Sequence, residues 1–358
     1  MEKTSFFITE RDNKKCCSSS CKEIKIKKKR RSPSKEANKY DLVDYASLPT
    51  FLKHNEFILS YYRSEWPIKQ TILSVFSIHN ETLNIWTHLV GFFIFLVLTN
   101  YVINSSPMIN TTTTSSLTHQ VILHNNLQII HSNDSQVSQT SLHVNQTTTM
   151  IKNQETSEPT TRWPFYAYMC GAMFCLLMSS ACHLLSCHSE HTCYLMLRLD
   201  YAGISGLIVT SFYPLVYYSF TCHPFIRNVY LTAITVFGIA TIIVSLFPVF
   251  ETPEYRSMRA GLFVCMALSG LVPIMHKLMA FGDRPEAVVT AGYEMIMGAF
   301  YALGVIVYAA RVPERWMPGR FDLAGHSHQL FHVLVIAGAY THYLAGLVYL
   351  RWREIEGC

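Results

Sequence analysis

His328 and His332 stand at the head of a long apolar run near the end of the chain, in GHSHQLFHVLV, Gly325–Val335. An ionisable group inside an apolar span is costly, so two imidazoles there ask for a chemical reason. Spaced four apart on a helix, they share one face and can hold one metal ion between them. His183, in SSACHLLSCHS, completes a three-nitrogen set. Three protein ligands with a fourth position left for water are the pattern of catalytic zinc, which lowers the pKa of its water enough to supply hydroxide near neutral pH. Asp200, in LRLDYAGIS, could accept a proton from that water. Ser179 lies one helical turn before His183, and its hydroxyl could bond the water or a developing oxyanion. The competing reading is a set of core histidines satisfied by their neighbours, and a lone H-x-x-x-H fits either.

The elements that position these residues read as membrane spans. Half of the 358 residues are hydrophobic and only 15% are charged; the mean hydropathy is +0.19. The apolar residues fall into long blocks such as VYLTAITVFGIATIIVSLF, Val229–Phe247, which carries no charge and is long enough to cross a bilayer. Seven spans are expected near Asn84–Ile103, Pro164–Cys187, Leu197–Tyr218, Val229–Phe247, Ala260–Met279, Ala287–Ala310 and His328–Leu350. The fold class is therefore an all-α seven-transmembrane bundle. Pro273 and the proline of SFYPLVYYSF read as kinks. Residues 45–83 read as one or two interfacial amphipathic helices broken near Pro67.

Orientation follows from charge and from acceptor sites. Sixteen of the 29 Lys and Arg lie before residue 84, many of them in KEIKIKKKRR. Residues 1–44 read as a disordered basic tail on the cytosolic side, meeting anionic lipid rather than nucleic acid. MEKTSFFITERD has no apolar signal-peptide core. The Thr/Ser/Asn-rich loop 104–162 carries four glycosylation patterns, at Asn104, Asn110, Asn133 and Asn145, which favour the extracellular or lumenal side. An N-terminus inside and seven crossings put the C-terminus outside. His183, Asp200, His328 and His332 then fall at one depth, toward the cytosol, which favours the metal reading over scattered core histidines.

Other polar groups read as structural. Glu81, Asn84 and His88 fall near one helix face and could bond neighbouring helices. His342 sits too far along its span to join the set. His326 lies off the face of His328. Glu294 is expected to pair within the bundle, with His276 and Lys277 as candidate partners. Most of the eleven cysteines fall in spans, where they act as small hydrophobes.

At these residues the sequence resembles the progestin and adipoQ receptor family, which includes the adiponectin receptors, and most closely its plant heptahelical members. The resemblance rests on SIHNETLNIWTHLVGFF, SSACHLLSCHS, LDYAGIS, VPERWMPGRFDLAGHSHQLFHVLV and LVYLRWREIEGC, from about Tyr45 to the end apart from the 104–162 insert. It implies zinc as the ion on His183, His328 and His332, with Asp200 meeting it through water and Ser179 as the serine of the S-x-x-x-H motif. It implies a multi-pass receptor or signalling protein of the plasma membrane or endomembranes, tied to plant hormone or stress responses. It also implies an enzymatic alternative, a zinc-dependent hydrolase of ceramide-like lipid amides. A third reading is a scaffold whose tail recruits soluble cytosolic partners. Expected partners are membrane lipids and a lipid, sterol or hormone ligand.

Overall fold

The computed structural model describes residues 40–104, 160–247 and 255–358, with Leu42–Cys358 as one compact unit. In chain order the helices are α1 (Ile68–Leu73), α2 (Thr82–Asn104), α3 (Trp163–Leu185), α4 (Glu190–Ser219), α5 (Pro224–Leu246), α6 (Arg256–Leu268), α7 (Leu271–Phe281), α8 (Pro285–Ala310) and α9 (Ser327–Glu356). Among the described residues seven stretches are long and apolar enough to cross a bilayer: α2, α3, α4, α5, the α6–α7 pair, α8 and α9. These are the seven that hydropathy predicts. The described part of the tail is short, and residues 1–39 lie outside the described residues, as do Asn110, Asn133 and Asn145. Asn104 closes α2.

Helix ends differ from the hydropathic reading where capping overrides apolar content. The third span begins at Glu190, seven residues before Leu197, because the Ser189 side chain accepts the Thr192 N–H and caps α4 there. The last span runs on to Glu356, past the apolar run. The fifth span is interrupted at Ser269–Gly270. Pro273 has no N–H to give the Ser269 carbonyl four residues back, so the helix parts one turn before the proline.

Residues 45–83, expected as one or two amphipathic helices broken near Pro67, fold as short helical turns. They form 3-10 turns at Tyr45–Ser47, Thr50–Leu52 and Ser74–Phe76, with α1 as their one α-helix. α1 starts directly after Pro67, where the sequence places the break. The rest is held by bonds to the α8–α9 loop: Leu59 N–H to Asp322 (2.9 Å) and Asn55 Nδ2 to Glu314 (3.1 Å). Gly319 N–H also donates to the Phe57 carbonyl (3.0 Å). The segment thus lies across the end of the bundle where α2 and α9 begin and α3 ends.

α9 is central, packing against α8, α2, α4 and α3. The main core runs through Phe95, Phe165, Tyr168, Val216, Tyr349 and Trp352. Outward faces carry exposed apolar side chains such as Phe93, Val97, Val236 and Met279, as a lipid-facing surface requires. α3 and α4 approach closely at Gly203, where a Cβ would stand 3.0 Å from the Cys175 Cα.

Several polar side chains shut into this bundle find partners on neighbouring helices. Lys277 Nζ on α7 donates to Glu294 Oε2 (2.8 Å) and Thr290 Oγ1 (2.9 Å) on α8 and to the Tyr349 hydroxyl (2.6 Å) on α9. Tyr349 in turn donates to Glu294 Oε1 (2.6 Å). Lys277 is therefore the partner of Glu294, while His276 bonds Tyr230 (3.1 Å). His342 Nε2 donates to the Ser211 carbonyl (2.8 Å), beside the disturbance Pro214 makes in α4. Both side chains of the Lys277–Glu294 pair are fully enclosed, so removing one partner strands a buried charge. Lys277→Met is expected to destabilise the bundle by about 3–5 kcal/mol, and adding Glu294→Met to restore most of it. Denaturation of the detergent-solubilised protein measures both; equal stability of the single variant and wild type would refute the coupling.

Candidate metal centre

Helix ends bring the three histidines together. His183 lies in the last turn of α3, and His328 and His332 in the first two turns of α9. Each offers a ring nitrogen, and the three nitrogens lie within 4.8 Å of one another. The rings stand edge to face, with centroids 4.6–5.0 Å apart, so their lone pairs converge instead of stacking. Three nitrogens on one tetrahedral zinc stand about 3.3 Å apart, so a small side-chain adjustment closes the set.

Hydrogen bonds on the outer side of two of the rings, His183 and His332, fix which nitrogen faces inward. His183 Nδ1 donates to Glu81 Oε2 at 2.8 Å. Its Nε2 is buried and has no partner. This is the carboxylate–histidine arrangement that orients metal-binding imidazoles. Asn84 Nδ2 donates to the same Glu81 oxygen (2.6 Å). Burial works against the Glu81 charge, but the His183 ring and these hydrogen bonds outweigh it and hold the carboxyl well below the usual carboxylate range. His332 Nδ1 meets the Thr87 hydroxyl (3.1 Å), whose own proton goes to the Leu83 carbonyl (2.7 Å). Thr87 therefore accepts from His332, leaving Nε2 with a free lone pair. The His328 ring packs edge-on against Tyr308.

Two further groups hold the ends of the helices that carry the histidines. Arg63, 2% exposed, donates from Nη2 to the His183 carbonyl (2.8 Å) and from Nη1 to the Leu184 carbonyl (3.1 Å). It thus caps α3 at its negative end. Glu314 accepts from the Ser327 N–H (2.8 Å) and from the Ser327 hydroxyl, placing a carboxylate at the N-terminus of α9. Gln329 reaches back to the Gly325 N–H (2.6 Å) and closes the same turn. His79 braces the segment that carries Glu81: its Nε2 donates to the Ser74 carbonyl (3.2 Å), and its Nδ1 accepts the Glu81 N–H (3.1 Å). Burial and the nearby Arg63 charge push His79 down to about 4, so it stays neutral in these roles.

Asp200 and Ser179 adjoin this centre. Ser179 is buried one turn before His183 on α3. The Asp200 carboxylate on α4 lies in electrostatic reach of both Ser179 and His183. The sequence reading thus places five side chains that the fold does bring to one end. It misses Arg63 and Glu314, whose signal is a charge within an apolar or loop segment with no local partner. For Glu81 it reads bonding to neighbouring helices without naming His183.

Comparison with known proteins meets this geometry with a family. Residues 76–343 match the Haemolysin-III related family. The chain belongs to that family. It is 55% identical over 352 residues to heptahelical transmembrane protein 4 of Arabidopsis thaliana, covering 89% of this chain and 91% of that one. It is 49% identical over 386 residues to the rice heptahelical transmembrane protein ADIPOR3, covering 92% and 95%. It is also 36% identical over 301 residues to the adiponectin receptor protein of Drosophila melanogaster, covering 84% of this chain and 57% of that one. This member of the Haemolysin-III related family is thus an adiponectin-receptor-like, heptahelical, integral multi-pass membrane protein.

Glu81→Gln keeps the size of the side chain and removes its charge. It is expected to weaken the binding of a metal ion on the three histidines by about 10–100-fold, measured by competition with a chelator of known affinity. Unchanged affinity would show that Glu81 does not orient His183.

Proposed function

We propose that this chain is a membrane receptor or signalling protein built around one zinc ion on His183, His328 and His332, serving a plant hormone or stress response. The observation that carries the metal is the buried, unpartnered His183 Nε2, held by Glu81 against two more inward-facing imidazoles. The receptor role rests on likeness to a protein named as an adiponectin receptor, and the plant setting on the Arabidopsis and rice relatives. With the basic tail in the cytosol, the centre lies toward the cytosolic face, and loop 104–162 with its acceptor asparagines lies outside. In this role the ion ties α3 to α9, and a lipid, sterol or hormone ligand that changes their packing changes the state of the bundle.

A second reading is favoured by Asp200 and Ser179. When bound, zinc would polarise a carbonyl and make a coordinated water acidic. Asp200 lies in electrostatic reach of Ser179 and of His183, and it can accept a proton at a carboxylate oxygen. Those residues suit hydrolysis of a ceramide-like lipid amide, whose product could itself be the signal.

Zinc measured on purified protein tests the shared premise: about one ion per chain in wild type and a marked loss in His332→Ala. An unchanged ratio in that variant would sink the site. Asp200→Asn keeps all three ligands and is expected to retain zinc while lowering lipid-amide hydrolysis by about 10²–10⁴-fold. Full signalling in a variant that has lost amide turnover would leave the receptor reading and remove the hydrolase account of signalling.

A further inference from the structure

A fourth histidine stands against the centre with no partner of its own. His88 on α2 is 3% exposed, and neither of its ring nitrogens has a hydrogen-bond partner. Its ring stacks on that of His332 with centroids 3.6 Å apart and planes 13° from parallel. It lies within electrostatic reach of His183 and His328 as well. One turn earlier on the same face, the buried Asn84 gives its Nδ2 to Glu81 and leaves Oδ1 unpartnered. Enclosed polar atoms nearly always have partners, so three orphans on one face of α2 mark a place where a polar group sits.

His88 is badly placed to hold the ion itself. An ion bound in the plane of the His332 ring would lie about a stacking distance above the His88 plane, out of line with either nitrogen lone pair. His88 can instead meet what the ion carries. We infer that His88 and Asn84 form a polar subsite on α2 for the group seated at the open position of the three-histidine centre. The inference rests on the metal reading above. A neutral imidazole offers one donor and one acceptor, and Asn84 Oδ1 offers another acceptor. The occupant therefore carries an oxygen that accepts and an N–H or O–H that donates, as an amide or a hydroxyl does. A bare carboxylate lacks that donor.

The test uses the full chain, purified in detergent, stripped of metal and loaded with Co²⁺, whose visible bands report what occupies its open position. Acetohydroxamate, with a coordinating oxygen and an N–H, is the probe. His88→Phe keeps the stack on His332 and removes both nitrogens; His88→Gln restores a donor and an acceptor. Wild type and both variants are expected to bind one cobalt with matching bands. His88→Phe should need about tenfold more acetohydroxamate for the same spectral change, and His88→Gln should recover part of the loss. An affinity in His88→Phe within twofold of wild type overturns the subsite, as does loss of cobalt, which would assign His88 to the metal centre itself. If wild type takes up no cobalt, the failure lies with the metal reading on which the subsite rests.

Discussion

A polar atom shut away from water without a partner costs roughly 1–3 kcal/mol, and this bundle encloses many of them. Most are paired, and the pairs are the joints of the structure. Two buried arginines show the pattern. Arg63 closes the carbonyl end of α3. Arg353 closes that of α4, donating to the Tyr218 (2.5 Å) and Ser219 (3.1 Å) carbonyls. Each brings a distant part of the chain onto a helix end that lipid could not satisfy. The Lys277–Glu294–Tyr349 cluster does the same for side chains, joining α7, α8 and α9.

Against that background the unpaired atoms stand out. Four of those among the described residues lie where α2, α3 and α9 meet: His183 Nε2, both nitrogens of His88, and Asn84 Oδ1. The outer nitrogens of His183 and His332 are bonded, to Glu81 and Thr87. The residues are thus arranged so that what faces outward is satisfied and what faces inward is free. A bundle selected only for stability would gain by replacing such a set with apolar side chains of similar volume.

The N-terminal segment belongs to this site as much as the spans do. Through Arg63 and Glu81 it holds the end of α3 and the ring of His183. Through Asn55 and Leu59 it reaches Glu314 and Asp322 in the loop that starts α9. A change in this segment therefore acts on all three histidines, though it carries none of them.

The sequence alone determined the seven spans, the break by Pro273 and the set of odd polar residues, because apolar length, proline and a buried charge each have local signatures. Hydropathy was less able to locate ends: Ser189 starts α4 by a cap that no apolar count detects, and residues 45–83 bond to loops instead of forming long helices. Spacing alone showed that His328 and His332 share a face. Only the tertiary structure decided that His183 meets them, that Glu81 turns its ring, and that Lys277, not His276, partners Glu294. Only it revealed His88 stacked on His332 with nothing to bond. The reason is physical: whether a polar group is free or spent depends on which helices pack beside it, and that packing joins residues more than a hundred positions apart.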